Sequence, residues 1–113
     1  MNYDTARRLA DEIKSSDEYK AYTEARDRIR DNAGTMALLR EYHKLQIEVQ
    51  SQAYTNKRDE DAIARLQKLG ELLQMNQNAS AYLIAEYRMH TVIGDIYKII
   101  ADAADIDLSA LED

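Results

Sequence analysis

No proline interrupts this chain of 113 residues, and it holds only 3 glycines. Proline stops helices and glycine loosens them, so a helical run here meets almost no internal breaker. Hydrophobic residues make up 45% of the chain and charged residues 32%, with no cysteine. That balance removes turn-rich, disulfide-stapled and collagen-like folds and favours an all-α chain. A disordered chain would be poorer in Leu and Ile. At this length, roughly two-thirds of the unfolded surface is buried on folding, enough for one modest core. The expectation is a single helical domain over residues 1–104 followed by an acidic C-terminal tail, 105–113.

Helical periodicity divides the domain into about five helices. Ala6, Leu9, Ala10 and Ile13 draw one stripe on a first helix from about Thr5 to Lys14, with Asp4 as its cap. Ser15 and Glu18 have the spacing of a capping box, which predicts a second helix reaching about Asp31 and burying Tyr22, Ala25 and Ile29. Tyr19 borders that stripe. Asn32-Ala33-Gly34 then forms a break, with Thr35 as the next cap.

The third helix, about Met36 to Tyr54, carries two stripes. Leu38, Tyr42, Leu45, Val49 and Ala53 line one side; Met36, His43, Ile47 and Tyr54 line roughly the opposite one, with Leu39 between. A helix apolar on two sides needs two neighbours, and in a chain this short one of them is expected to be a second copy. After the polar turn Asn56-Lys57-Arg58, Asp59 caps a fourth helix whose stripe is Ala62, Leu66, Leu69 and Leu73. It folds back antiparallel on the third. Asn76-Gln77-Asn78 breaks the pattern before a long fifth helix, about Ala79 to Ala104. Its apolar residues, from Tyr82 and Met89 to Ile100 and Ala103, span an arc wider than roughly 100°, which predicts a central helix. Gly94 inside it marks a close helix contact. The tail beyond, from Asp105, reads as either a docked turn or a frayed end.

The formal charge of −6 argues against direct nucleic-acid binding and against anionic membrane surfaces, because both rest on excess Lys and Arg. Arg26, Arg28 and Arg30 alternate with Asp27 and Asp31, the pattern of a salt-bridged solvated face. No apolar run approaches the roughly 20 residues that span a bilayer, and Met1-Asn2-Tyr3-Asp4 has no signal-peptide character. A cytoplasmic protein is expected. Gly-rich phosphate loops, G-x-S-x-G and H-E-x-x-H are missing, so no enzyme class is indicated. Glu86 and His90, one turn apart, offer at most two ligands of a metal site; a surface hydrogen-bonding pair is the simpler reading. Asp59-Glu60-Asp61 lacks the register of an EF-hand and suits a first helical turn. No cofactor is expected.

The order of features resembles the YlbF/YmcA family of small bacterial helical proteins, and within it the YheA-like branch. Ser16-Asp17-Glu18-Tyr19-Lys20 is similar to the family's Ser-x-Glu-aromatic start of the second helix. The segment from Leu38-Leu39 through Tyr42 to Leu45-Gln46 resembles its Leu-x-x-aromatic-x-x-Leu-Gln pattern. Ala85-Glu86, Arg88-Met89 and the run Ile93-Gly94-Asp95-Ile96-Tyr97-Lys98-Ile99-Ile100 resemble its last helix. The resemblance covers about Tyr3 to Ala103; Asn32-Ala33-Gly34 departs from it where relatives often carry Asp-Pro.

The resemblance implies an all-helical, dimer-forming regulator without enzymatic activity. Studied relatives act as regulatory subunits affecting competence, biofilm formation and sporulation, and as accessory factors of an mRNA-processing endoribonuclease. Iron–sulfur clusters ligated by Cys, found in some of those assemblies, do not transfer to a chain without cysteine. The expectation is therefore a homodimeric adaptor with protein partners, among them family paralogues or an RNA-processing complex. Its candidate interface is Met36, Leu39, His43, Ile47 and Tyr54 with Met89, Ile93 and Ile96. A metal-binding bundle at Glu86 and His90, or a direct RNA-binding module, stands as the alternative.

Overall fold

A computed structural model describes residues 1–106. Those residues form five helices and no strand: α1 (Asp4–Lys14), α2 (Asp17–Ile29), α3 (Ala33–Thr55), α4 (Glu60–Met75) and α5 (Gln77–Ala103). The all-α expectation is met, with α3 and α5 the longest elements. Of the expected acidic tail, residues 107–113 lie outside the described part.

Each helix end shows which side chain wins the capping position. Asp4 is the first residue of α1 rather than its cap: its N–H donates to Asn2 Oδ1 at 2.9 Å and its carboxylate lies 3.2 Å from Arg7 Nη1. An acid in the first turn suits the helix dipole. Ser15 closes α1, donating its N–H to the Asp11 and Glu12 carbonyls. Ser16, one residue later than the expected capping box, accepts from Tyr19 N–H at 3.2 Å and opens α2, which ends at Ile29 rather than at Asp31. Asn32, not Thr35, caps α3: its extended backbone lets Oδ1 accept from Thr35 N–H at 3.0 Å, so the helix starts one turn early. Gly34 therefore lies inside a helix, and no glycine has positive φ. Asp59 caps α4 as expected, accepting from Ala62 N–H at 3.1 Å. Asn56, with φ 56°, turns the chain out of α3, a left-handed position that Asn tolerates. α5 begins two residues before the expected Ala79, capped by Asn76. It ends on a reverse turn in which Ile106 N–H donates to the Ala101 carbonyl at 2.9 Å, with Asp105 left-handed at φ 56°.

The described chain divides into two compact units, Glu24–Leu83 and residues 1–23 with 84–106, and α2 and α5 contribute to both. In the first unit α3 and α4 pack extensively as a helical hairpin. Its core is Ile29, Leu39, Leu45, Ala62, Leu69, Leu73 and Ala79, with Met36, Tyr42, Val49 and Leu66 packed against it. The expected α4 stripe is therefore the one that faces inward. On α3 the predicted stripe faces inward at Tyr42, Leu45 and Val49, while Thr35 and Leu39 are buried beside it and Leu38 and Ala53 lie outside. Tyr22, expected in the core, is half-buried. Gly70 of α4 faces the α3 ring of Tyr42, where a β-carbon would sit 3.5 Å from Tyr42 Cε2, an ordinary contact. Gly70→Ala should thus raise stability by about 0.5–1 kcal/mol through helix propensity, read as a higher urea midpoint at unchanged m-value.

In the second unit the buried apolar residues are Ala85, Met89 and Ala101, and α1 buries none. Leu9 and Ile13 of α1 are half-buried, Ala6 and Ala10 exposed. The stripe drawn from the sequence exists, but the chain itself covers it only partly. Gly94, expected at a close helix contact, has open space among the described residues: a β-carbon there meets none of them within 4 Å.

Candidate interaction surface

The eight residues of the expected interface do not share one environment. Leu39 and Met89 are buried in the chain's own interior and are unavailable as exposed contact residues, because their positions on α3 and α5 point inward. Met36 packs against the core of its unit, and Ile96 is half-buried. His43 is half-buried with its ring tilted 53° to that of Tyr42, centroids 6.2 Å apart. The exposed members are Ile47 at 67% and Tyr54 at 72% on α3, and Ile93 at 44% on α5. These lie in different units, with Ile47 and Tyr54 two turns apart on one face of α3.

Sequence reasoning missed the exposed run that continues Ile93. Tyr97 at 53% and Ile100 at 56% follow it at i+4 and i+7, and Ile99 and Tyr87 are also exposed. The signal was the width of the α5 arc, read as a central helix; a wide arc equally describes a helix covered on one side with apolar surface remaining on the other.

Among the described residues no metal-binding group assembles. Glu86 is half-buried and His90 exposed, and no three His, Asp or Glu side chains come together around a metal position. The sequence has no cysteine, so this chain offers no thiolate ligand. Arg30 pairs with Asp27 at 3.2 Å, both largely exposed, as the alternating charges predict. An open depression of about 300 Å³ lies at the end of the α3–α4 hairpin, between Val49 and Ala53 of α3, Lys57 of the loop and Ile63 of α4. Arg58 beside it is engaged with the Glu60 carboxylate.

Residues 2–104 match the family described as control of competence regulator ComK, YlbF/YmcA. The chain belongs to the YlbF/YmcA family. It is 38% identical to a UPF0342 protein of Halothermothrix orenii over 97% of this chain and 94% of the relative. A UPF0342 protein of Symbiobacterium thermophilum is 35% identical over 94% and 96% of the two chains, and one of Clostridium tetani 32% identical over 95% and 93%. The family description names regulation and no reaction. No described helix is long and apolar enough to cross a membrane.

Proposed function

We propose that this YlbF/YmcA-family chain is a non-enzymatic, cytoplasmic regulatory adaptor that works by associating with itself and with other proteins. The observation that carries the reading is the apolar surface left outside the chain's own core, Ile47 and Tyr54 on α3 and Ile93, Tyr97 and Ile100 on α5. Exposed apolar side chains grouped on a helix face are the material of protein interfaces, and Tyr contributes area and a hydroxyl at low entropy cost. The family description supports regulation as the output. Kinship with the YheA-like branch, a part in competence, biofilm or sporulation control, and attachment to an RNA-processing complex are further parts of this proposal, drawn from resemblance.

The test replaces the chromosomal gene with one encoding Ile47→Glu and Tyr54→Glu together. Both positions face water, so the variant should fold and accumulate normally while losing a partner contact. Its strain is expected to reproduce the null strain's change in competence, biofilm, sporulation or transcript processing. Unchanged behaviour of the null strain in all four readouts would remove the regulatory reading; full complementation by the double variant would remove the α3 face from it.

A further inference from the structure

One face of α3 is covered by its own unit along only half its length. Toward the N-terminal end Leu39 is buried in the cluster that holds Ile29 of α2 and Ala79 of α5, and Met36 packs against that cluster. Further along, the same line of the helix emerges: His43 is half-buried, then Ile47 is 67% and Tyr54 72% exposed. Ile47 and Tyr54 stand about 10 Å apart along the axis. The chain thus lays its own helices against the first half of this face and leaves the second half, with two large apolar side chains, exposed.

Charge marks what fits the exposed half. At about 100° per residue, Arg40 and Tyr54 lie within about 20° of Ile47 around the α3 axis, His43 and Ser51 within about 40°, and Lys44 and Gln50 within about 60°. The acids of this stretch, Glu41 and Glu48, fall about 100–120° away, on another side of the helix. Arg40 and Lys44 are exposed, as is Lys57 in the loop just beyond Tyr54. Basic residues therefore flank the apolar pair, and no acid of α3 shares its face. Unit Glu24–Leu83 balances nine basic against nine acidic residues. The −6 of the whole chain belongs to the other residues and does not offset these cations locally.

An apolar pair two turns apart on one helix matches the i, i+3, i+4 and i+7 anchors of a partner helix laid along it. Basic flanks call for acids beside those anchors, because opposite charge at the rim of a contact steers encounter and fixes orientation. Every described helix of this chain mixes both signs, α1 with Arg7, Arg8 and Lys14 among three acids and α5 with Arg88 and Lys98 among its own. None of them supplies an acid-only flank.

We infer that the C-terminal half of α3 docks an acidic amphipathic helix of a different protein, its Leu or Ile anchors on Ile47 and Tyr54 and its carboxylates on Arg40 and Lys44. The inference rests on the partner-binding part of the functional proposal and gives that partner its chemistry.

Two designed helical peptides of about 18 residues serve as probes, one with Leu at the anchor positions and Glu on its flanks, the other identical but with Lys for Glu. Fluorescence anisotropy against the full-length chain is expected to show the acidic peptide binding at least ~10-fold more tightly at low salt, a preference that shrinks as salt is raised. Arg40→Glu with Lys44→Glu should invert the preference, a gain for the basic peptide that misfolding does not produce. Tyr54→Ala should weaken the acidic peptide by about 5–10-fold, and Leu72→Ala, on α4, should leave it unchanged. Equal binding of both peptides, or a preference indifferent to the charge reversal, overturns the inference. So does an oligouridylate of about 12 nucleotides that binds through Arg40 and Lys44 more tightly than the acidic peptide, which makes the face a nucleic-acid surface. A fall in the chain's own sedimenting mass on Tyr54→Ala overturns it too, by giving the face to a second copy.

The two readings fail separately. If Ile47→Glu with Tyr54→Glu abolishes regulation while the acidic preference is absent, only this partner chemistry is lost. If the acidic preference maps to Arg40 and Lys44 and the null strain has no phenotype, only the regulatory role is lost.

Discussion

Leu73→Ala is expected to lower stability by about 3–4 kcal/mol, equivalent to a melting temperature roughly 10–15 °C lower. Leu73 is among the largest side chains with essentially no exposure, and it lies in the same cluster as Ile29, Leu45, Leu69 and the two fully covered alanines, Ala62 and Ala79. Removing its isobutyl group takes away its transfer free energy and leaves a cavity. The surrounding residues come from four helices whose ends are fixed by caps, which limits collapse into the gap. A domain of this size has only about 5–15 kcal/mol in hand, so this one change removes a large share. Leu72 is the internal control: one residue earlier on α4 but 51% exposed, it should cost under about 1 kcal/mol as Ala. Urea denaturation followed by circular dichroism compares the two; equal losses would mean that the inward face of α4 is misassigned.

Asn76→Ala should cost about 2–3 kcal/mol, a large effect for a half-exposed polar residue. Asn76 is the only residue between α4 and α5, and every polar group it owns is engaged. Its N–H donates to the Leu73 carbonyl at 3.1 Å, closing α4, and its carbonyl accepts from Ser80 N–H at 2.9 Å. Oδ1 accepts from Ala79 N–H at 3.1 Å, capping α5. Its Nδ2 donates to Thr35 Oγ1 at 3.3 Å, and Thr35 is the buried polar residue in the first turn of α3. The cap accounts for about 1 kcal/mol, and the donor lost to a buried hydroxyl for about 1–2 kcal/mol more. Asn76→Asp separates the two: it keeps the cap acceptor and adds a charge that suits a helix N-terminus but lacks the amide donor to Thr35, and should lose about 1–2 kcal/mol, less than Ala. If Asp proves as damaging as Ala in thermal melts, the link to Thr35 rather than the cap dominates.

The same pair explains why some helix starts were misread from sequence. Asn32 and Thr35 both carry side chains that cap, three residues apart, and local chemistry does not rank them. Thr35 is drawn inward because its hydroxyl meets Asn76, 41 positions away in the chain, which leaves the cap to Asn32. Ser15 and Ser16 present the same choice; both hydroxyls donate to carbonyls of α1, those of Asp11 and Ile13, and Ser16 Oγ also accepts from Tyr19 N–H and so caps α2. Asp59 and the stripe Ala62, Leu66, Leu69, Leu73 were legible because neither had a rival: one cap residue stands before one narrow stripe. The surface at Tyr97 and Ile100 was harder to see, since a buried and an exposed apolar residue on a wide arc look alike until a neighbour covers one of them.

What the sequence alone determined is local: five helices in a proline-free chain, the break at Asn76, the cap at Asp59 and the inward stripe of α4. Each follows from propensity, periodicity and capping, which act within a few residues. Only the tertiary structure decided that Leu39 rather than Leu38 enters the core, that Met89 turns inward while Ile93, Tyr97 and Ile100 remain exposed, and that a β-carbon at Gly94 would meet no other described residue within 4 Å. Periodicity fixes the angle of each side chain around its helix axis, but which arc is buried depends on where the other helices pack, and that is set by contacts far apart in sequence.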